Sequence, residues 1–264
     1  MNFLLINKPE GWTSFDVVAF VRNRVKQNVI PTETSDERRN PLHLETKGSF
    51  DSATAPLKAC PELAEGMTNK IKSKRIKVGH AGTLDPFATG LLIVGVGREA
   101  TKRLDEFKQM PKIYIATIKL GETSNTYDKT GNITACHSER SEESLKLETK
   151  GILRSAQDDK RATTPSIEEI EQILKLFKGK QLQIPPMFSA KKINGERLYS
   201  LARKGIEVER QPNEIEIYEI KLLEYTWPIL KIEVQCSAGT YIRSLANDIG
   251  ANLEVGAYCK ELVR

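Results

Sequence analysis

The chain has 264 residues, enough for one large domain or two small ones with a substantial core. No run approaches the roughly 18 apolar residues that span a bilayer, and the opening MNFLLINKPEGW has neither a basic leader nor a cleavage site, so a soluble cytoplasmic protein is expected. Cys60, Cys136, Cys236 and Cys259 lack CxxC spacing, which argues against a disulfide frame or zinc knuckle, and the net charge of +5 favours a polyanionic partner.

In chain order, Phe3 to Ile6 reads as a short strand, and Asn7-Lys8-Pro9-Glu10-Gly11 as a turn. Thr13 or Ser14 can cap a helix whose apolar residues Phe15, Val18, Val21 and Val25 recur every three to four positions. The pattern then dissolves over 27–76, a stretch rich in Thr, Ser, Pro and alternating charge, and dissolves again over 133–162. Neither segment carries enough apolar surface to offset its ordering entropy. Leu42 to Gly48 (LHLETKG) and Leu145 to Gly151 (LKLETKG) nearly repeat each other, but one matching heptamer does not make a solenoid. Both segments read as dispensable insertions into a single domain spanning 1–264. Residues 27–73 hold seven acids and six bases, and 133–162 hold six of each, so the basic excess belongs to the rest. His43 and His137 fall in the insertions, which leaves His80 as the lone core histidine and disfavours a histidine metal centre or triad.

Between the insertions lies KVGHAGTLDPFATGLLIVGVGREATK, where His80, Asp85 and Pro86 sit among glycines just ahead of an apolar strand, Leu91 to Val96. An acid on a stiff turn beside a core strand is well placed for chemistry, although Asp-Pro also simply initiates turns. Ala100 to Gln109 reads as a helix ended by Pro111. Lys112 to Leu120 alternates as a strand with Tyr114, Ala116, Ile118 and Leu120 on one face, and a polar turn with Asp128 follows. Ser166 and Glu169 form a capping-box signal for a helix to Phe177. Beyond an extended Pro-Pro segment come a short helix, Arg197 to Lys204, strands Glu214 to Glu224 and Ile229 to Cys236, and a helix from Thr240 to Asn252. Irregular alternation with neighbouring late strands favours α+β with a mixed or antiparallel central sheet.

Four stretches together resemble the TruB-type tRNA pseudouridine synthases: NKPEGWTSFDVV, VGHAGTLDPFATGLLIVGVGREATK, KIYIATIKLGETSNTYDKTG, and PPMFSAKKINGERLYSLARKG followed by CSAGTYIRSLANDIG. The G-H-x-G-x-L-D-P-x-A-x-G-x-L run is the most specific of them. The chain departs from the family in its two insertions and is expected to lack the small C-terminal RNA-binding domain that many members have. The resemblance implies the pseudouridine synthase fold and an isomerase that breaks the N1–C1′ bond of uridine 55 in the tRNA T-loop and rejoins the base through C5. It implies a monomer with neither cofactor nor metal, in keeping with a sequence that lacks P-loop, Rossmann and metal-ligand spacings. Asp85 would be the essential carboxylate, acting at C1′ directly or through a glycal. Arg243 would orient it, and Tyr114 would stack on the flipped uracil near C5. Tyr241 and Leu262 would shape the pocket, and His80 would fill the gap left by the extruded base. Lys8, Lys191, Lys192, Arg197 and Arg203 would follow the phosphates.

Two other readings stay open on the sequence. A catalytically silent RNA-binding module would need no lone acid facing an anionic ligand. A glycosidase using Asp85 and Asp128 would need an aromatic-rich cleft, and only 6% of residues are Phe, Trp or Tyr.

Overall fold

A computed structural model describes residues 2–29, 76–136 and 164–264, without 190, 194 and 207. Cys60, His43, His137 and both copies of the heptamer lie outside the described residues.

The chain opens with strand β1 (Asn2–Lys8) and helix α1 (Ser14–Val29), then β2 (Val78–Ala81) and β3 (Gly90–Val96). These three strands make an antiparallel sheet in the order β1-β3-β2. Val17, Val18 and Val21 of α1 cover it, burying Leu92 and Val94. Thr13 is the cap. Its hydroxyl accepts from the Asp16 backbone at 3.1 Å while the Asp16 carboxylate accepts from the Thr13 backbone at 2.8 Å. Ser14 instead fastens α1 to the Asp85 loop. Its Oγ accepts from the Leu84 N–H at 2.9 Å and donates to the Leu84 carbonyl at 3.2 Å.

The helix expected over 100–109 is broken at Arg103, giving α2 (Arg98–Lys102) and α3 (Leu104–Gln109). The break lets Ala100 and Leu104 both turn inward, where they are 2% and 5% exposed. Ala100 packs so tightly on β3 that a Cβ at Gly95 would meet its backbone at 3.2 Å.

Strand β4 (Lys112–Leu120) is followed by a small ribbon, β5 (Glu122–Ser124) and β6 (Ile133–Ala135). Helix α4 (Ile167–Leu176) starts at Ser166 with the expected reciprocal capping box to Glu169. Next come β7 (Gly179–Gln183), the two-residue strands β8 (Lys192–Ile193) and β9 (Glu196–Arg197), α5 (Leu198–Arg203), β10 (Asn213–Thr226), β11 (Ile229–Cys236), α6 (Ile242–Asn252) and β12 (Ala257–Val263). The main sheet is antiparallel throughout, ordered β12-β4-β11-β10-β7. Tyr114, Ala116, Ile118 and Leu120 of β4 point into its core as the alternation requires, against Leu245 and Ile249 of α6 and Ile170 and Leu174 of α4.

The architecture is α+β. Two bounds drawn from the sequence shift: α1 continues to Val29, past the break expected at 27, and β6 takes Ile133–Ala135, the first three residues of the segment expected over 133–162. The sequence pattern does not announce the short strands β2, β7 and β12. In β12 a bulge between Cys259 and Glu261 breaks the alternation that would mark it.

Candidate active site

The two sheets meet where Thr89 bridges Val263 in parallel, directly after the Asp85 turn. The Thr89 N–H donates to the Leu262 carbonyl at 2.8 Å, and the Leu91 N–H donates to the Arg264 carbonyl at 3.0 Å. Gly90 sits between them at φ +104°, and a Cβ there would lie within 2.4 Å of the Arg264 carbonyl oxygen. Only glycine allows this approach. The turn itself closes with the Ala88 N–H donating to the Asp85 carbonyl at 3.1 Å, and Leu84, Phe87 and Ala88 anchor it in the core.

Lys8 is the other anchor, and its place corrects the expectation that it follows phosphates. It is 0% exposed, and its Nζ donates to the carbonyls of Pro9, Trp12 and Pro86 at 2.8, 2.6 and 3.1 Å. All three of its donors are spent inside the protein on the backbone of two neighbouring turns. Burial pulls its pKa below the ordinary lysine value, and the nearby Asp85 charge opposes that pull.

Arg243, on the first turn of α6, is 3% exposed and faces inward. Its Nη2 donates to Asp85 Oδ1 at 3.0 Å and to the Phe188 carbonyl at 2.8 Å. Its Nε lies 2.9 Å from Asp85 Oδ2, though without hydrogen-bond alignment, so that contact is one of charge. Its Nη1 donates to the Thr126 carbonyl and to Asp128 Oδ2, both at 3.1 Å. Asp128 is buried and takes further bonds on Oδ1 from the Thr126 hydroxyl at 2.8 Å and the Thr130 N–H at 2.9 Å. The guanidinium is thus gripped from both sides, with one carboxylate wholly buried and the other opening on a cavity. Burial pushes the Asp85 carboxyl above its ordinary range, Arg243 pulls it back down, and Asp128 pushes it up again. The Asp85 side chain is 34% exposed, so its loss of water is incomplete, and the paired guanidinium favours the ionised form.

The cavity measures about 560 Å³ and is lined by Asp85, Tyr114, Lys191, Tyr241, Arg243 and Leu262, among others. Six of the eleven residues singled out from the sequence therefore share one hollow. Tyr114 is 9% exposed, and burial holds its phenol above the ordinary tyrosine value while Arg264 opposes. The Lys191 Nζ donates to Asn213 Oδ1 at 2.6 Å.

His80 is not in this hollow. It lines a second cavity of about 1170 Å³ between α1, β2 and α3, which shares Gly82, Thr83 and Lys108 with the first. Burial lowers its pKa, and its Nδ1 has no partner among the described residues. Arg203 is exposed, stacked 5.7 Å from the Tyr199 ring centroid, and the side chains of Lys192 and Arg197 lie outside the described residues. Sequence reasoning missed Asp128 as the second support of Arg243, and missed Ser189 and Arg264 on the cavity wall. The polar turn holding Asp128 was visible, but its partner lies 115 residues away.

The fold is the α+β fold of pseudouridine synthases. A solved structure described as a Cbf5-Nop10-Gar1 complex matches 99% of this chain and 47% of its own, with a TM-score of 0.56 at 23% identity. An H/ACA RNP bound to a substrate RNA containing 2′-deoxyuridine matches with a TM-score of 0.52 at 21% identity, over 99% of this chain and 46% of that one. This chain thus spans about half the length of those solved chains. The model of the TruB family pseudouridylate synthase N-terminal domain matches residues 69–158 and 145–242. A Parabacteroides distasonis protein named tRNA pseudouridine synthase B is 48% identical over 198 residues, covering 75% of this chain and 74% of its own length. A Bacteroides fragilis protein of the same name is 40% identical over 100% of this chain and 87% of its length. The chain belongs to the TruB family of pseudouridylate synthases.

Proposed function

We propose that this protein is a cytoplasmic tRNA pseudouridine synthase that isomerises uridine 55 of the T-loop, working as a monomer without cofactor or metal. The observation that carries the reading is a single carboxylate, Asp85, presented to a cavity by a buried guanidinium at 3.0 Å and 2.9 Å, in a chain of this family. The ionised carboxylate meets the ribose at C1′ once N1–C1′ cleavage makes that carbon electron-poor. Tyr114 covers the uracil face near C5, where a proton must leave, and Tyr241 and Leu262 close the pocket around the base. The target has to leave its stack to reach so recessed an acid, which costs a few kcal/mol of lost stacking. His80, neutral in its buried setting, fills the gap from the neighbouring cavity, and Lys191 meets a phosphate at the rim. Asp128 has no place on the cavity wall among the described residues, which disfavours a two-carboxylate glycosidase.

The test uses unmodified tRNA with tritium at uracil C5. Wild-type protein is expected to release tritium, and Asp85→Asn to lower release by at least about a thousandfold while still binding tRNA. Tight binding without release by wild type would favour a silent binding module, and release at full rate by Asp85→Asn would remove the carboxylate from the chemistry.

A further inference from the structure

Ser189 lies between β7 and β8 on the wall of the Asp85 cavity. It is 5% exposed, yet its Oγ has no hydrogen-bond partner among the described residues. Native proteins rarely leave a buried hydroxyl unpaired unless a ligand or a water completes it. The surrounding backbone is, by contrast, tied. The Ser189 carbonyl accepts from the Tyr199 N–H at 3.1 Å. The preceding carbonyl, of Phe188, takes its bond from the Arg243 Nη2 that also serves Asp85. One guanidinium nitrogen therefore sets the position of this segment relative to the carboxylate.

Tyr241 stands beside Ser189 and is held in the same manner. Gln183 clamps its backbone, accepting from the Tyr241 N–H at 2.8 Å and donating to its carbonyl at 3.0 Å. The Ser189 hydroxyl is close enough to oppose the upward pull of burial on the Tyr241 phenol, though the two do not meet at hydrogen-bond geometry. The result is two hydroxyl-bearing side chains, fixed through their backbones on the same cavity wall as the acid, of which the buried Ser189 Oγ is unpaired among the described residues.

We propose that Ser189, with the Tyr241 hydroxyl beside it, holds the 2′-hydroxyl of the target ribose and so selects ribonucleotide over deoxyribonucleotide at the reacting position. This rests on the reading of Asp85 as the group that meets C1′. The 2′-carbon is bonded directly to C1′, so on that reading the 2′ substituent comes within reach of the groups that share the cavity wall with the carboxylate, Ser189 and Tyr241 among them. The chemistry matches as well. A hydroxyl both donates and accepts, as the 2′-hydroxyl does, whereas a uracil carbonyl would use only the donor of Ser189. The 2′-hydroxyl is also the group by which proteins distinguish RNA from DNA at a single site.

The experiment compares T-arm stem-loops carrying uridine or 2′-deoxyuridine at the target, by equilibrium binding to wild type, Ser189→Ala and Ser189→Thr. Wild type is expected to bind the ribo form about tenfold more tightly. Ser189→Ala should lose about that factor on the ribo form and bind both alike, and Ser189→Thr should recover part of the preference. The melting temperature of Ser189→Ala should not fall, because the hydroxyl it lacks has no partner among the described residues. Equal binding of the two loops by wild type, undiminished preference in Ser189→Ala, or a change in preference for the base instead of the sugar would each overturn the assignment. A marked loss of melting temperature in Ser189→Ala would overturn it too. Sugar preference is read from binding, and the role of Asp85 from tritium release, so the two readings fail independently.

Discussion

Asp128 never faces the cavity, yet it determines how Arg243 presents Asp85. Asp128→Asn keeps the shape but removes the charge opposite Nη1, which is 3.1 Å away. Turnover at neutral pH should fall about tenfold, with the Kd for tRNA nearly unchanged, because the loss lies in orientation and not in RNA contact. The pH dependence gives a second readout. In the proposed reaction the working form of Asp85 is ionised, and burial together with Asp128 raises its pKa above the ordinary 3.8. Turnover should therefore fall as pH drops through that raised value. Removing the Asp128 charge removes one upward push, so the acid limb of the pH–rate profile should move to lower pH. A limb that stays put or moves up would contradict this account. Lys8 supplies a contrast with Lys191. Lys8→Met strands three carbonyls in the interior and should cost on the order of 2 kcal/mol in thermal unfolding, without altering the salt dependence of tRNA binding. Lys191→Ala should leave the melting temperature nearly unchanged and reduce the salt slope by about one.

At the level of elements, Asp85 is held just ahead of β3, where β12 arrives. Gly90→Ala would force a methyl into the Arg264 backbone at 2.4 Å and at positive φ. It should lower the melting temperature and turnover together, since parting the two strands displaces the Asp85 turn. Turnover preserved in a clearly destabilised Gly90→Ala would show that the junction does not position the acid. The local elements were legible where their signals were local: the caps at Thr13 and Ser166, the alternation of β4 and the apolar period of α1 all rest on neighbours within a turn or two. The split at Arg103 was not, because it answers to Ala100 and Leu104 packing on β3. Nor was β12, whose pairing with β4 is made across more than a hundred residues and whose bulge hides its period.

For the molecule as a whole, the two hydrophobic clusters join residues on either side of the aperiodic segments: Val17 and Val21 pack with Val78 and Leu92 across the first, and Leu84 and Phe87 with Leu245 and Leu262 across the second. The polar, aperiodic segments add little that could pack against such a core. We expect a chain lacking residues 30–72 and 138–160 to unfold within a few degrees of the full chain and to keep its tritium-release rate. The deletion spares α1 and β6, which the sequence alone would have trimmed. A fall of more than about 10 °C would show that the insertions carry packing energy.

The family could be named, and Asp85, Tyr114 and Arg243 marked as candidates for one site, from an unbroken run of residues around Asp85 and from short stretches near Tyr114 and Arg243, since a motif lies in chemistry spaced closely along the chain. Folding alone assigned Lys8 to the interior, His80 to a neighbouring cavity, Asp128 to the far side of the guanidinium and an unpaired Ser189 hydroxyl to the wall. Each of those assignments depends on which distant backbone atoms share a side chain's donors, and that is set only when the two sheets close on each other.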